Sequence, residues 1–424
     1  MTAEALRTTR SPEPQHDVLS GPDPVAAAAA HIAATALQAT STRAVGLELE
    51  FHLVELARPE ARPGWPAVQA LAAELPPMPS GSTVTFEPGG QIELSTPPGP
   101  DVVAAVAGLA ADRDVLRAAL REQGFGAAAL GADPVRPPER VNPHPRYAAM
   151  ETHFAARGCG GAGRSMMTST AALQVNLDAG PMAGWAERLG LLRSMVPMLV
   201  AASTTSPYLG GRASGWASMR QETWTGIDCG RSDPVAGHEP AVGWALYALD
   251  APVMLLSEPD GALRPVPARI TFGDWLRVPG LLGRPATGAD LDYHLTTLFP
   301  PVRPRGYVEV RCVDALPDRW WPAMAAFVAT LADVPAAADE AADLCAPTAG
   351  AWEAAARDGL RDPAIRRTVA GCAEVAAAHA PAALKPDVEA LADLLASGRT
   401  VGDELRAAAE RHGPLRLLEE HCHE

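Results

Sequence analysis

The sequence predicts an α+β fold built around a largely antiparallel sheet. Segments in which polar and apolar residues alternate, as they do in half-buried strands, recur at wide intervals along the chain. Hairpins and long excursions join these segments, without the regular β-α-β alternation that a parallel sheet requires. After about residue 320 the chain is rich in Ala and helical in pattern. Strands paired through hairpins, with helices added around them, are therefore expected.

The chain has 424 residues, of which 47% are hydrophobic, and this composition is typical of a globular protein. The length alone allows one elaborate domain or two to three ordinary ones. Residues 1–22 are polar and interrupted by Pro, which predicts a loose tail. Residues 23–424 are expected to form a single catalytic domain whose final part, residues 320–424, is mostly helical.

Charge and cysteine usage restrict the partners and the compartment. A formal charge of −15 disfavours non-specific binding to nucleic acid or to an anionic membrane. It does not exclude nucleotides, because magnesium can neutralise their phosphates. Six cysteines are scattered without paired spacing, no signal sequence is evident, and no apolar run approaches the roughly 20 residues of a membrane span. A soluble cytoplasmic protein is expected.

The elements of the first part of the chain follow from local patterns. Asp23 and Pro24 provide an N-cap and a first-turn proline for a helix that reaches about residue 38. Strict alternation predicts a strand over residues 43–56, and two short strands flank a Pro-Gly-Gly turn within residues 83–95. Asp101 caps a long amphipathic helix that ends at Gly124. A short strand over residues 125–130 then leads into a Pro-rich loop, residues 134–145.

The elements of the second part follow in the same way. Residues 164–178 are expected to form a strand with a polar face, and residues 185–202 a helix. Residues 206–234 mix Gly, Trp, Arg and Ser without periodicity, which predicts a long loop facing the substrate. A further strand is expected over residues 306–313, and helices with breaks at prolines and glycines follow it.

Carboxylates occupy alternate positions on several of these strands. Glu48 and Glu50 project to one face, roughly 7 Å apart, at about 3.3 Å of rise per residue. Ionised carboxylates that face one another repel unless cations lie between them, so a site for hard divalent metal ions is the first hypothesis. For any single residue a solvated strand face is the better explanation, but its repetition on at least three strands favours metal. The polar-face residues are Glu48, Glu50, Glu87, Glu93, Gln174, Asn176 and Glu309.

Two arginines complement these carboxylates. Arg311 shares a strand face with Glu309, and Arg220 lies in the aperiodic loop segment. Either guanidinium could pair with a substrate carboxylate or a transferring phosphoryl group. The structural alternative is a salt bridge to Glu309 or to a neighbouring residue. Neither a dinucleotide-binding glycine motif nor a phosphate loop occurs in the sequence.

Taken together, the motifs resemble the glutamate-cysteine ligase superfamily in its plant and actinobacterial branch. Within that branch the chain is most similar to the actinobacterial ligases that supply γ-glutamylcysteine for ergothioneine biosynthesis. The similarity extends from about residue 43 to residue 315, and the helical tail carries no recognisable motif. The motifs are Gly46-x-Glu48-x-Glu50, Glu93-Leu94-Ser95-Thr96-Pro97-Pro98, Met166-Met167-x-x-Thr170 with Gln174-x-Asn176, the Arg220 segment, and Glu309-Val310-Arg311.

This resemblance implies a glutamine-synthetase-like fold, in which a curved, largely antiparallel sheet forms a funnel with helices outside. It implies that ATP phosphorylates the γ-carboxylate of L-glutamate and that the amine of L-cysteine then displaces phosphate. ATP would be a co-substrate, together with two or three Mg²⁺ ions or, alternatively, Mn²⁺. By similarity the metal ligands are Glu48, Glu50, Glu87, Glu93, Gln174 and Glu309.

The resemblance also implies roles for the remaining polar residues. Arg220 is similar to the residue that holds the substrate carboxylate, and Arg311 to the one beside the transferring phosphoryl group. Gln174 and Asn176 would contact substrate in the same site, although some relatives carry His at the position of Gln174. A carboxylate-amine ligase with another acceptor and a metal-dependent phosphohydrolase are the alternatives.

Overall fold

The computed structural model describes residue 19 and residues 22–237, 239–258 and 261–424. Most of the predicted tail therefore lies outside the described residues, although Leu19 is buried against the core. The division into a tail and a single domain over residues 23–424 stays a prediction. Residues beyond 320 are mostly helical, as expected.

Within the described residues the strands are short except for the first, and most belong to one sheet. They are β1 (Val45–Glu55), β2 (Thr83–Phe86), β3 (Ile92–Ser95), β4 (Phe125–Ala128), β5 (Ala172–Leu177), β6 (Tyr208–Leu209), β7 (Arg212–Ala213), β8 (Leu255–Ser257), β9 (Leu263–Pro265), β10 (Val302–Pro304) and β11 (Val308–Asp314).

Helices lie between the strands and make up most of the chain after β11. They are α1 (Pro24–Ala36), α2 (Trp65–Glu74), α3 (Val102–Glu122), α4 (Pro145–Ala156), α5 (Gly160–Ser169), α6 (Trp185–Ala202), α7 (Met219–Thr225), α8 (Pro240–Asp250), α9 (Phe272–Arg277), α10 (Gly288–Leu295), α11 (Trp321–Asp333), α12 (Pro335–Cys345), α13 (Trp352–Asp358), α14 (Pro363–His379), α15 (Lys385–Ala396), α16 (Val401–His412) and α17 (Leu415–His421).

The central sheet is antiparallel and open. Its strands follow the order β10-β11-β5-β1-β3-β2, and β4 pairs with the second half of β1 outside this order. In the registers that matter for the site, Glu48 pairs with Gln174, Glu50 with Glu93, and Glu309 with Asn176. The long strand β1 thus lies at the centre of the sheet and pairs with β3, β4 and β5.

One face of this sheet is apolar and forms the main core. Leu47, Leu49 and Val175 are fully buried there, and α3, α6 and α11 pack against it. Burial of apolar side chains on alternate positions fixes the register, because a slip of one residue would turn the whole polar face inward. The polar side chains of the same strands are therefore held on the opposite face.

Several predicted boundaries are confirmed by their caps. The side chain of Asp23 accepts a hydrogen bond from the Ala26 amide at the start of α1, and Asp101 does the same for Ala104 at the start of α3. These bonds satisfy amides that have no partner within the helix. The helix predicted over residues 185–202 has the observed bounds of α6.

Two predictions of local structure were wrong. The strand expected over residues 164–178 begins only at Ala172, because residues 160–169 form α5, so that Thr168 lies on a helix and not on the polar strand face. The long loop expected over residues 206–234 contains the hairpin β6-β7 and the helix α7. The pair Gly210-Gly211 forms the turn of the hairpin, and Ser218 caps the helix. Both signals are local and produce no periodic pattern.

Among the helices described here, none is by itself long and apolar enough to cross a membrane, and the one pair that meets the test jointly, residues 321–333 and 335–348, is bent by 95°.

Candidate active site

The polar face of the sheet changes its charge from one edge to the other. The strands β1 and β3, with the end of β2, carry carboxylates, whereas β10 and β11 carry arginines. Between them lies β5, whose outward side chains Gln174 and Asn176 are uncharged amides. We call these regions the acidic half, which comprises Glu48, Glu50, Glu87 and Glu93, and the basic half, which comprises Arg303, Arg305, Glu309 and Arg311.

The acidic half brings together four carboxylates from three segments that are distant in sequence. Glu50 and Glu93 pair directly across β1 and β3, and Glu87 follows the last residue of β2. Glu93 accepts hydrogen bonds from the hydroxyls of Thr85 at 3.2 Å and Ser95 at 2.7 Å. Glu50 accepts one from the Ala172 amide at 2.9 Å. The oxygens are thus held by neighbouring donors in fixed positions.

Without a cation, the ionised forms of these carboxylates are destabilised by burial and by mutual repulsion. Burial first, and then the negative charge of Glu93, raise the pKa values of Glu48, Glu50 and Glu87 above the ordinary range of a glutamate. Such a group of hard, close oxygens is the donor set that Mg²⁺ or Mn²⁺ prefers. The carboxylates of the acidic half therefore fit a divalent cation.

A complete site made only of protein ligands is not present. In the part of the chain that the structure describes, no group of three or more His, Cys, Asp or Glu side chains is arranged around one ion. Magnesium at nucleotide sites usually takes one or two carboxylates and completes its shell with water and phosphate oxygens. The acidic half fits that partial kind of site, with substrate oxygens required to finish it.

The two amides of β5 connect the halves. Asn176 donates through its Nδ2 to the Oε1 of Glu48 at 2.9 Å, and its own Oδ1 is buried without a partner. Gln174 donates weakly to Glu50 at 3.5 Å and accepts a short hydrogen bond from Arg311. Because an amide both donates and accepts, Gln174 can contact a carboxylate and a guanidinium at once.

The basic half surrounds one buried carboxylate. Arg303 pairs with Glu309, Arg305 lies 3.2 Å from its Oε1, and Arg311 lies 3.5 Å from its Oε2. Burial alone would raise the pKa of Glu309, but these guanidinium groups lower it to about 2. Three positive charges against one negative charge leave this half of the face cationic, and so suited to phosphate oxygens.

Arg220 lies next to this half and is almost completely buried. It sits in the first turn of α7, whose N-cap Ser218 accepts a hydrogen bond from the Gln221 amide. Its Nη2 donates to the backbone oxygen of Arg311 at 2.8 Å, and its guanidinium lies 5.9 Å from the centre of the Trp224 ring. Its Nε and Nη1 have no hydrogen-bond partner. Buried donors without partners are costly, so this side chain is prepared for an anionic ligand.

The turn that carries Glu87 is held in place by hydrogen bonds to the end of α5 and to Arg62. The amide of Gly90 donates to the Glu87 oxygen at 2.9 Å, and the Gln91 side chain donates to the backbone oxygens of Met167 and Thr170. Arg62 donates through one nitrogen to the backbone oxygens of both Gly89 and Thr168, at 3.0 Å each. The turn and the end of α5 are therefore held together through backbone oxygens of the Met-Met-x-x-Thr segment.

The structure brings all of the predicted site residues together on or beside one face, and none is remote. The metal-ligand role of each stays a prediction. To bind a metal ion, Glu309 would have to give up some of the ion pairs that its carboxylate forms with arginines.

Sequence reasoning missed Arg303, Arg305 and Tyr147. Arg303 and Arg305 have the same parity as Glu309 and Arg311, a signal that the intervening Pro304 and Gly306 obscured. Tyr147, on α4, lies near the acidic half: burial first, and then Glu87, raise the pKa of its hydroxyl to about 12.

The sequence is similar to those of known glutamate-cysteine ligases. The sequence model of glutamate-cysteine ligase family 2 matches residues 44–421. The chain is 48% identical over 381 residues to the glutamate-cysteine ligase EgtA of Mycolicibacterium smegmatis, with 89% of this chain and 90% of that one covered. It is 47% identical over 383 residues to EgtA of Mycobacterium tuberculosis, with 89% of both chains covered. The chloroplastic glutamate-cysteine ligase of Arabidopsis thaliana is 30% identical over 292 residues, which cover 66% of this chain and 54% of that one.

Solved structures extend the comparison to the fold. The glutamate-cysteine ligase of Francisella tularensis, crystallised with AMP, superposes with a TM-score of 0.57 at 14% identity, covering 91% of this chain and 88% of that one. At such low identity the likeness concerns the fold alone. It confirms the predicted fold class, a glutamine-synthetase-like arrangement of antiparallel sheet and surrounding helices.

Proposed function

The chain belongs to glutamate-cysteine ligase family 2, and we propose that it joins the γ-carboxylate of L-glutamate to the amine of L-cysteine at the expense of ATP. The observation that carries this proposal is the adjacency of the acidic and basic halves across the two amides of β5. One half suits metal-bound polyphosphate, and the other suits the carboxylate and the phosphoryl group that must meet. We further propose that the γ-glutamylcysteine formed serves ergothioneine biosynthesis, supported by the 47–48% identity to the mycobacterial EgtA proteins.

The proposed chemistry proceeds in two steps. A γ-carboxylate oxygen of glutamate attacks the γ-phosphorus of ATP, the bond to the bridging oxygen breaks, and ADP leaves. The amine of cysteine then attacks the carbonyl carbon of the acyl phosphate, phosphate leaves, and the nitrogen loses a proton to give the amide. Such reactions depend on alignment and on stabilisation of charge, so they need no nucleophilic side chain of the enzyme.

Residues of this chain divide the work. Glu48, Glu50, Glu87 and Glu93, with Gln174 and Glu309 by similarity, would hold two or three Mg²⁺ ions, or alternatively Mn²⁺. When bound, such ions neutralise polyphosphate charge and polarise phosphoryl oxygens. Arg220 binds a glutamate carboxylate through its unpartnered nitrogens, Arg311 stabilises the transferring phosphoryl group, and Gln174 and Asn176 orient the substrate between them. All six cysteines lie in the described part of the chain and are free thiols, which supports a reducing cytoplasm.

The assay measures ADP and amide product from purified protein, ATP, Mg²⁺ and glutamate, with cysteine or other amines. We expect ADP release that depends on cysteine and equals the amide formed. A preference for another amine would overturn the acceptor assignment, and ADP without amide would indicate a phosphohydrolase.

A site variant tests whether the acidic half is responsible. Glu50→Gln keeps the shape of the side chain and can still accept the Ala172 hydrogen bond, but it removes the charge. We expect turnover to fall roughly 10²–10³-fold, with an unchanged circular dichroism spectrum. Glu55→Gln, at the half-buried end of the same strand, where the side chain pairs with Arg58, is the matched control and should remain within twofold of wild type.

A further inference from the structure

A carboxylate that is not part of the charged face lies behind Arg220. Asp314 is the last residue of β11, the strand that also carries Glu309 and Arg311, and it is 1% exposed. Its Oδ1 lies 3.9 Å from the Nη1 of Arg220. Gly131 lies against it so closely that an added Cβ would be 2.5 Å from the carboxylate. The site of Asp314 is therefore closed to ligands, and any role in the reaction must be indirect.

The hydrogen bonds of Asp314 lead to the start of α7. Ser206 donates its hydroxyl to Oδ2 at 2.7 Å, and Ser218 donates its hydroxyl to Oδ1 at 2.9 Å. The same two hydroxyl oxygens accept the backbone amides of Arg220 and Gln221, at 3.1 and 3.2 Å. Each serine thus donates its hydroxyl to Asp314 while the same oxygen accepts a backbone amide of α7, and the two hydroxyl oxygens lie 3.4 Å apart.

The contacts made to this carboxylate are all from donors. Besides the two hydroxyls, the amide of Thr205 donates to Oδ2 at 3.1 Å. A carboxylate accepts at both oxygens, whereas an amide side chain accepts at only one. The arrangement thus requires Asp rather than Asn, and it places a negative charge beside the buried guanidinium of Arg220.

We propose that Asp314 is a positioning residue that orients Arg220 for the substrate carboxylate, an inference that rests on the proposed function. It acts through the charge that faces Nη1 and through the two serines that fix the first turn of α7. With Nη2 held by the Arg311 oxygen, the guanidinium is restrained from two sides. Its Nε and Nη1 have no hydrogen-bond partner, and a substrate carboxylate would bind at Nε and at the side of Nη1 that is turned away from Asp314.

Removal of the charge should move the guanidinium without unfolding the helix. The start of α7 keeps backbone hydrogen bonds that do not involve Asp314, from Ser218 to the Ala356 oxygen at 2.9 Å and from Met219 to the Ser206 oxygen at 3.1 Å. Weakened binding of the substrate carboxylate is therefore the expected result of Asp314→Asn.

The experiment is a double-mutant cycle in the complete protein, with Asp314→Asn, Arg220→Lys and the double variant. We expect Asp314→Asn to raise the KM for glutamate at least tenfold while kcat falls less than threefold and the KM for ATP is unchanged. In the Arg220→Lys background the same change should raise the KM less than twofold further, because the two residues act as one unit. Asp112→Asn removes another buried carboxylate, held by the amides of Ser80 and Ser82 on the far side of the sheet, and should leave both KM values unchanged.

The possible outcomes distinguish a failure of the role proposed for Asp314 from a failure of the proposed function. An unchanged KM for glutamate, or an equal effect in the Arg220→Lys background, would show that Asp314 has no role in orienting Arg220. If Asp314→Asn does not fold, Ser218→Ala provides the test, with an expected rise in the KM for glutamate of about threefold and no change for ATP. A wild-type protein without glutamate-dependent ADP release would instead refute the proposed function.

Discussion

Gly89→Ala tests whether the turn beneath the acidic half must be held in place. A Cβ on Gly89 would lie 2.1 Å from the backbone oxygen of Thr168, far inside the contact distance of about 3.5 Å. The turn and the end of α5 must therefore separate by at least about 1 Å. Arg62, which bridges both at 3.0 Å, would then lose one of the two bonds because hydrogen bonds weaken steeply beyond about 3.2 Å.

The consequences can be given magnitudes. Overpacking costs about 1–3 kcal/mol, and a buried donor or acceptor left without its partner costs a similar amount. We therefore expect the free energy of unfolding to fall by about 2–6 kcal/mol. Because Glu87 precedes the turn directly, a displacement near 1 Å should also reduce kcat about 10²-fold. Urea unfolding and ADP release measure the two effects on the same preparation.

A matched glycine and a milder variant complete the test. Gly161 is in α5, where a Cβ would meet no atom within 4 Å. Gly161→Ala should leave turnover unchanged and stabilise the helix by about 0.5–1 kcal/mol. Arg62→Lys keeps the positive charge but loses the branched guanidinium that contacts both backbone oxygens. We expect it to reproduce the loss of kcat, with a smaller loss of stability than in Gly89→Ala. Wild-type turnover in Gly89→Ala would refute the reasoning, since the turn would then tolerate displacement.

Two further predictions concern metal and pH. Mg²⁺ at about 100 times its dissociation constant should stabilise the protein by about 2.7 kcal/mol relative to the protein in EDTA. Melting curves should show this gain in wild type but much less of it in Glu50→Gln. An equal gain in both proteins would show that the ion binds elsewhere. Burial lowers the pKa of His294 to about 3, so the unfolded chain, with its histidine pKa near 6.5, binds the extra proton. The stability contributed by neutral His294 is thus complete above about pH 6.5 and is lost as the pH falls from there toward 3. Between pH 7 and pH 5 wild type should lose about 2 kcal/mol more than His294→Gln in urea unfolding, and parallel losses would contradict the shift.

The sequence was most informative where one face of a strand is buried. Leu47 and Leu49 determine which face of β1 enters the core, so the opposite projection of Glu48 and Glu50 could be predicted from alternation alone. The caps Asp23 and Asp101 were equally reliable, because their effect is confined to one helical turn.

Long-range pairing could not be derived in this way. Nothing local shows that β5 lies between β1 and β11, or that Glu93 pairs with Glu50. Arg62 and Asp314 could not be identified either, since their partners are distant in sequence and consist largely of backbone groups and small hydroxyls. Such contacts leave no periodic pattern, and only the folded chain reveals them.

The strand order also determines how the proposed substrates could approach. Under the proposed function the four carboxylates of the acidic half would repel glutamate, so we expect its carboxylates to bind on the side of Arg220 and Arg311. Polyphosphate needs cations, which the carboxylates of Glu48 and Glu50 can retain on the opposite side. The phosphoryl group would then pass over Gln174 and Asn176, which carry no net charge and can contact either substrate. A charged residue on β5 would attract one of the two substrates and repel the other. The uncharged amides Gln174 and Asn176 do neither.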